Sequence, residues 1–336
     1  MTSVVHIVPT LPPPLEGVGG YALALADALR DRGIDSTFVA AAALPARTPE
    51  ALRTALAAWT GPEAGKRPAA LLHYAGYGYH PRGCPDWLVE ALEGWDGRLV
   101  TAFHEVWATG PPWRSSFWLS PRQRRLAGRL ARRSDGLVTS LGIYRHNLLR
   151  RAPGREVTVM PVFSTVGEPD AVPPLGARDR TLVLFGGSGV RGRAWRDCAP
   201  ALNAVCDRLG LAEIWDIGPP SAETPAALKG RPVRQLGPLP AAEVSRRLLA
   251  AMAGFVAYPA PFLGKSTVFA AYCAHGMLPV SAWHRPRRRV EPPPPFWRPA
   301  AALSDDPQKV ADRARDWYSR HTLDRCAEAF GRLLLA

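Results

Sequence analysis

The sequence predicts an α/β protein made of two doubly wound parallel-sheet domains in tandem, and three observations predict it. Short, continuous apolar runs recur along the chain, the pattern of strands buried on both faces. Stretches with apolar residues at helical spacing separate them, so strand and helix alternate. A tract without periodicity, rich in Pro, Gly and charge, divides the series in two (residues 163–180, FSTVGEPDAVPPLGARDR). At 336 residues the chain is long for one domain and ample for two, each able to bury a core.

Taken in order, Val4–Val8 reads as the first strand. A Pro/Gly loop leads into a helix with Tyr21, Leu25 and Leu29 at i, i+4 and i+8, and Gly33 stands where a C-cap belongs. Ile34–Val39 completes a βαβ unit. Further strands are expected over Ala69–Tyr74, Leu99–His104, Leu137–Ser140 and Val157–Val162, with helices over 49–59, 84–94, 120–133 and 141–151. After the divide, strands are expected over Leu182–Phe185, Glu213–Ile217, Val233–Leu236, Gly254–Tyr258 and Leu278–Ser281. One helix over about 307–334 carries Val310, Ala314, Trp317, Leu323, Ala327, Phe330 and Leu334. The expected division is a first domain over 1–165, a linker over 166–180, a second domain over 181–305, and a C-terminal helix over 306–336 that packs back on the first domain. Val290–Arg298 (VEPPPPFWR) is the only low-complexity stretch.

The net charge of +13 reads either as a solvated arginine-rich surface or as attraction to phosphate-bearing partners, nucleotide or anionic membrane. Nucleic acid is not expected, since no zinc-finger, RNP-type or basic-zipper pattern occurs. Five dispersed cysteines, never in a C-x-x-C pair, argue against disulfides and structural zinc. No apolar run is long enough to span a bilayer, and the chain enters a strand pattern at once. A cytoplasmic protein is expected.

Ligands of open α/β sheets bind beyond the carboxyl ends of the strands, so functional residues are expected just after each strand, with the two sheets expected to face a cleft. Gly17-Val18-Gly19-Gly20-Tyr21 opens the first helix, where glycines let a ligand approach backbone N–H groups, or simply make a tight turn. His73 and Tyr74 end a strand that runs into a Gly/Tyr loop suited to a sugar or aglycone. His104 ends the next apolar strand. A neutral His there can accept or position a hydroxyl proton, with Glu105 fixing its tautomer or binding a hydroxyl.

In the second half, LVLFGGSGVRGR (Leu182–Arg193) runs from a strand into glycines, with Gly187, Arg191 and Arg193 placed for a diphosphate. Lys265-Ser266-Thr267 follows Gly264 between a strand and a helix. Pro259 occupies the upstream glycine position of a P-loop, so that motif fails, yet Lys, Ser and a helix N-terminus still make an anion site. No D-x-D pair and no metal site is evident.

Together these segments resemble the family 4 glycosyltransferases of the GT-B fold, two Rossmann-like domains facing a cleft. The resemblance rests on HIVPTLPPPLEGVGGYALALADALRDRG, FHEVW, LVLFGGSGVRGR and KSTVFAAYCAHGMLPV, and spans residues 4 to 285. It implies acceptor-side roles for Gly19, Gly20 and His104, and donor-phosphate contacts from Arg191 or Arg193. Lys265 and Ser266 would contact the phosphates or ribose. It implies retaining transfer from a nucleotide sugar, UDP- or GDP-linked, as substrate, with no cofactor and no obligatory metal. The family's two donor-site glutamates fall, aligned back from Gly276, on Leu263 and Ala271, which cannot ionise. Two alternatives stay open: a nucleotide-binding or partner-binding protein without catalysis, and a GT-B epimerase.

One further feature concerns a surface. Residues 120–133 (SPRQRRLAGRLARR) begin with Ser-Pro, read as N-cap and N1. Arg122, Arg125, Arg129 and Arg132/Arg133 fall on one face, either solvated or resting on anionic lipid at the inner face of a membrane.

Overall fold

The computed structural model describes residues 2–12, 17–59, 67–282, 292–299 and 306–336. Within these the chain forms two units, Met1–Pro161 with Leu323–Ala336, and Val162–Thr322.

The first unit is a six-stranded parallel sheet in the order β2-β1-β3-β4-β5-β6. Its strands are β1 (Thr2–Val8), β2 (Ile34–Ala40), β3 (Ala69–Tyr74), β4 (Arg98–Phe103), β5 (Gly136–Thr139) and β6 (Thr158–Val159). Helices α1 (Gly17–Arg30), α2 (Pro49–Ala58), the single turn α3 (Gly76–Tyr79), α4 (Asp86–Glu93), α5 (Ser115–Arg133) and α6 (Gly142–Leu149) connect them. The strand residues of β3 are buried throughout, the polar His73 among otherwise apolar neighbours. Thr48 caps α2 by accepting from Ala51 N–H at 3.2 Å, with Pro49 at the first helical position.

The second unit has a six-stranded sheet in the order β12-β11-β7-β8-β10-β9. Its strands are β7 (Asp179–Phe185), β8 (Glu213–Ile217), β9 (Ala227–Leu228), β10 (Arg231–Gly237), β11 (Ala251–Phe255) and β12 (Leu278–Val280). All pair in parallel except β9, which lies antiparallel on β10. Helices α7 (Ser188–Leu209), α8 (Ala241–Ala250), α9 (Thr267–Ala274) and α10 (Pro307–Ser319) complete it, and α11 (Leu323–Leu335) belongs to the first unit. Leu182, Leu184, Leu202, Val205, Ile214, Phe255 and Leu278 form its core.

The strand expected over Val157–Val162 is only Thr158–Val159, that expected over Gly254–Tyr258 is Ala251–Phe255, and three further elements differ more. The expected helix over 307–334 is two helices, because the turn at Arg320–Thr322 ends α10 and hands the chain back to the first unit. There α11 packs on α1, β3 and β4. Residues 163–180 are not a free connection: Phe163, Ser164, Val166, Leu175 and Arg178 are buried, and Ser164 N–H donates to the Tyr318 hydroxyl at 2.7 Å. Finally, Ser120 is not a cap. Helix α5 starts five residues earlier, and Pro121 lies inside it. The Arg face of α5 is also largely spent, since Arg122 pairs with Asp86 at 2.9 Å and Arg129 with Glu93 at 2.5 Å. Of the low-complexity stretch, Val290 and Glu291 lie outside the described residues.

Candidate functional site

In the second unit β7 ends at Phe185 and the chain turns at Gly186, whose φ of +116° only glycine adopts without strain. Gly187 then stands at the N-cap of α7 with no side chain to offer, and Gly187, Ser188 and Gly189 are exposed. The first N–H groups of a 22-residue helix therefore point outward without a side-chain cap. A β-carbon at Gly186 would come within 2.8 Å of Val268 Cγ2, so this turn touches the first turn of α9. The structure thus brings together two segments that the sequence presents separately. At α9, Ser266 is the N-cap and accepts from Phe269 N–H at 3.2 Å. Lys265, Ser266 and Thr267 are half-buried, as is Arg193 on α7.

Arg191 corrects the sequence reading. It is buried and turned into the fold, where it ion-pairs with Asp216 and donates to the carbonyls of Gly186, at 2.8 Å, and Pro219. Asp216 is held further by Trp195 Nε1 at 2.6 Å and Thr224 Oγ1 at 3.2 Å. Arg191 shapes the glycine turn from beneath and has no donor directed at a phosphate. Gly218, with φ of +144°, is part of the same knot: a β-carbon there would lie 2.2 Å from Gly186 O. Leu263 and Ala271 are fully buried, so neither position is presented to a ligand.

In the first unit His104 is the first residue past β4, and its N–H donates to Tyr74 O at 3.0 Å. His104 and Glu105 are half-buried. His73 Nδ1 lies 3.2 Å from His104 Nε2, and His73 Nε2 lies 3.1 Å from His6 Nδ1. Tyr21 packs edge-on against His104, with ring centroids 5.0 Å apart. Burial pushes the His6 imidazole down to about 3 and His73 well below the usual histidine range, so both are neutral at physiological pH.

The other acceptor-side candidates are placed differently from the reading. His73, Tyr74 and Tyr21 are buried, and the Tyr74 hydroxyl is enclosed without a partner. Gly19 is required by the fold itself, because a β-carbon there would meet Thr10 O at 2.6 Å, whereas Gly20 has open space. His6, Ser36 and Asp216 are the residues that sequence reasoning passes over. Their only signal is a polar side chain inside a strand pattern, which becomes informative once strand register is known.

No protein-family model and no curated protein matches the chain by sequence. Solved structures do. An α-glucosyltransferase in complex with UDP superposes with a TM-score of 0.60 at 11% identity, over 99% of each chain. The chain has the GT-B fold. An E. coli trehalose-6-phosphate structure bound with UDP-2-fluoro glucose matches with a TM-score of 0.58 at 12% identity, over 100% of this chain and 99% of that one. An α,α-trehalose 6-phosphate synthase from Burkholderia multivorans matches at 0.58 and 14%, over 99% and 96%.

Proposed function

We propose that the chain transfers a sugar from a UDP- or GDP-linked donor to an acceptor hydroxyl, with retention and without an obligatory metal. The observation that carries this is the open N-terminus of α7, reached through the Gly186 turn and touching the start of α9. Outward amide groups at the positive end of a helix fit a diphosphate. Arg193 and Lys265 add cations, Gly187 lets the ligand close on the backbone, and Ser266 and Thr267 add hydroxyls. The same groups would neutralise charge on the departing nucleoside diphosphate. The UDP and UDP-2-fluoro glucose held by two proteins of this fold support that ligand class. On the acceptor side we assign His104 to accept or position the hydroxyl proton and Glu105 to hold a hydroxyl.

Titration calorimetry with UDP, GDP and their glucose conjugates, followed by donor hydrolysis, tests the reading. Binding of neither nucleotide at about millimolar concentration would refute it. Binding without hydrolysis, and without transfer to any acceptor offered, would favour a non-catalytic nucleotide-binding protein, the alternative to which buried Leu263 and Ala271 point.

The acceptor we infer to be membrane-linked. The paired arginines of α5 speak against a purely electrostatic surface, but Trp113 just before that helix and Trp118 and Phe117 in its first turns are 83%, 71% and 42% exposed. Arg114, between Trp113 and the helix, is exposed, as is Arg125 two turns beyond Trp118. Aromatic rings with nearby arginines suit an anionic lipid interface. Co-sedimentation with phosphatidylglycerol vesicles should weaken about tenfold or more in Trp113→Ser plus Trp118→Ser. Unchanged partitioning would sink the inference, and duplex DNA offered in parallel measures what charge alone contributes.

A further inference from the structure

Four polar residues cross the first sheet on one face, three from the neighbouring strands β2, β1 and β3 and the fourth from the residue just past β4. Ser36 of β2 stands opposite Val4, and His6 lies two residues further along β1. His6 stands opposite Leu71, and His73 lies two further along β3. His73 stands opposite Ala102, and His104 lies two further, just past β4. A step of two keeps a strand residue on the same face, so the four form a diagonal row.

Their side chains join in series. Ser36 Oγ is 3.2 Å from His6 Nε2, His6 Nδ1 is 3.1 Å from His73 Nε2, and His73 Nδ1 is 3.2 Å from His104 Nε2. Each of these nitrogens faces another polar atom at hydrogen-bond distance. Among the described residues no group of three or more His, Cys, Asp or Glu side chains is placed to hold a metal ion.

A neutral imidazole carries one donor and one acceptor. With His6 and His73 buried and neutral, each link must pair an N–H with a lone pair. Only two patterns satisfy every link. Either all three histidines carry the proton on Nε2 and His6 donates to Ser36, or all three carry it on Nδ1 and Ser36 donates to His6. Any mixed pattern sets two donors or two lone pairs face to face, and is disfavoured by about tenfold or more.

We propose that Ser36, His6, His73 and His104 form a tautomer-locked relay. In it His6 and His73 are positioning residues that dictate, from across the sheet, which nitrogen of His104 carries the proton. The consequence for chemistry rests on the reading of His104 as the group that meets the acceptor hydroxyl. In the Nε2–H pattern its Nδ1 can accept that proton, and in the Nδ1–H pattern it cannot.

Nitrogen-15 NMR of the full chain with labelled histidine tests this without donor or acceptor. The chain has eight histidines, and single substitutions assign their signals. The expected spectrum shows His6, His73 and His104 as neutral rings protonated on Nε2. Ser36→Ala alters one half-buried residue of an edge strand, and it should shift His104 toward a mixture of tautomers although the two residues do not touch. Ser36→Thr should restore the single form, and His6→Leu should release His104 further. Mixed tautomers in the unaltered chain, or a His104 signal unmoved by both Ser36→Ala and His6→Leu, would overturn the relay. A uniform Nδ1–H pattern would keep the relay and overturn the hydroxyl-accepting role of His104. Failure of nucleotide binding bears on the proposed function alone.

Discussion

Arg191 offers the sharpest test, because the sequence reading makes it a phosphate ligand and the structure makes it a strut. Arg191→Met keeps the length of the side chain and removes its donors. It leaves the Asp216 carboxylate with only Trp195 and Thr224, and it orphans the carbonyls of Gly186 and Pro219. Removing one member of a buried ion pair costs about 3–5 kcal/mol. Taking about 3 kcal/mol and a urea slope near 2 kcal/mol/M, the unfolding midpoint of the second unit should fall by about 1.5 M. Its thermal midpoint should fall by about 6–12 °C. In Arg191→Met plus Asp216→Leu the orphaned carboxylate is gone, so the double change should cost less than the two single changes added together. The assay is urea denaturation followed by tryptophan fluorescence, which reports Trp195 beside the pair. The reasoning fails if Arg191→Met unfolds within about 1 kcal/mol of the unaltered chain while losing UDP affinity. That result would return Arg191 to the ligand.

Three other predictions bear on acid stability, the helix end and a buried arginine. His275 and His321 are held neutral by burial, each down at about 4, well below an unfolded histidine near 6.5. The unfolded chain therefore binds protons that the folded chain refuses, and stability present above pH 6.5 is lost as pH falls toward 4, at about 1.4 kcal/mol per pH unit for each group. Denaturation midpoints between pH 7.5 and 4.5 should show this slope, flattened in His321→Gln; an equal slope in that variant would remove His321 from the account. Gly189→Glu has open space and puts a carboxylate in the first turn of α7, so it should leave stability level or slightly raised while weakening UDP binding by about tenfold. Unchanged affinity, measured by calorimetry, would remove the diphosphate from this helix end. Arg178→Lys cannot serve the carbonyls of Pro173, Leu248, Ala251 and His275 together, and should cost about 2–3 kcal/mol by urea denaturation.

The strands were legible because burial leaves a mainly apolar run even where a polar residue intervenes: Ala69–Tyr74 and Glu213–Ile217, which carry His73 and Asp216, fall where the sequence places them. The break at Arg320–Thr322 was not legible, since apolar residues continue at helical spacing on both sides, and tertiary packing sends α10 and α11 to different units. Ser120-Pro121 carries an N-terminal signature, yet the helix runs through it, because a proline in the second turn loses a single backbone hydrogen bond that packing can offset. Within the site, the glycine turn at Gly186 and the cap at Ser266 were readable as strand-to-helix junctions. Their contact through Val268 was not, nor was the row Ser36–His6–His73–His104, because both depend on register between strands distant in sequence.

The charge has the same lesson in reverse. A formal count of +13 treats every arginine as a surface cation seeking an anion. Many are committed to backbone carbonyls at helix ends, which carry partial negative charge and never enter such a count. Arg32 donates to Ala28 O near the end of α1, Arg133 to Leu92 O of α4 at 3.0 Å, Arg180 to Leu209 O of α7 at 2.9 Å, Arg178 to Leu248 O of α8 at 3.1 Å, and Arg98 to Leu333 O of α11 at 2.7 Å. The planar guanidinium, always charged and forked, serves several such carbonyls at once. Net charge therefore overstates the cationic surface on offer and says little about where a phosphate would go. The ends of α7 say more. Its carbonyl end is closed by Arg180, while its amide end follows two glycines, has no side-chain cap and lies exposed. A helix finished at one pole and left open at the other has its uncompensated partial charge where the strand-end rule places a ligand, and that charge is positive.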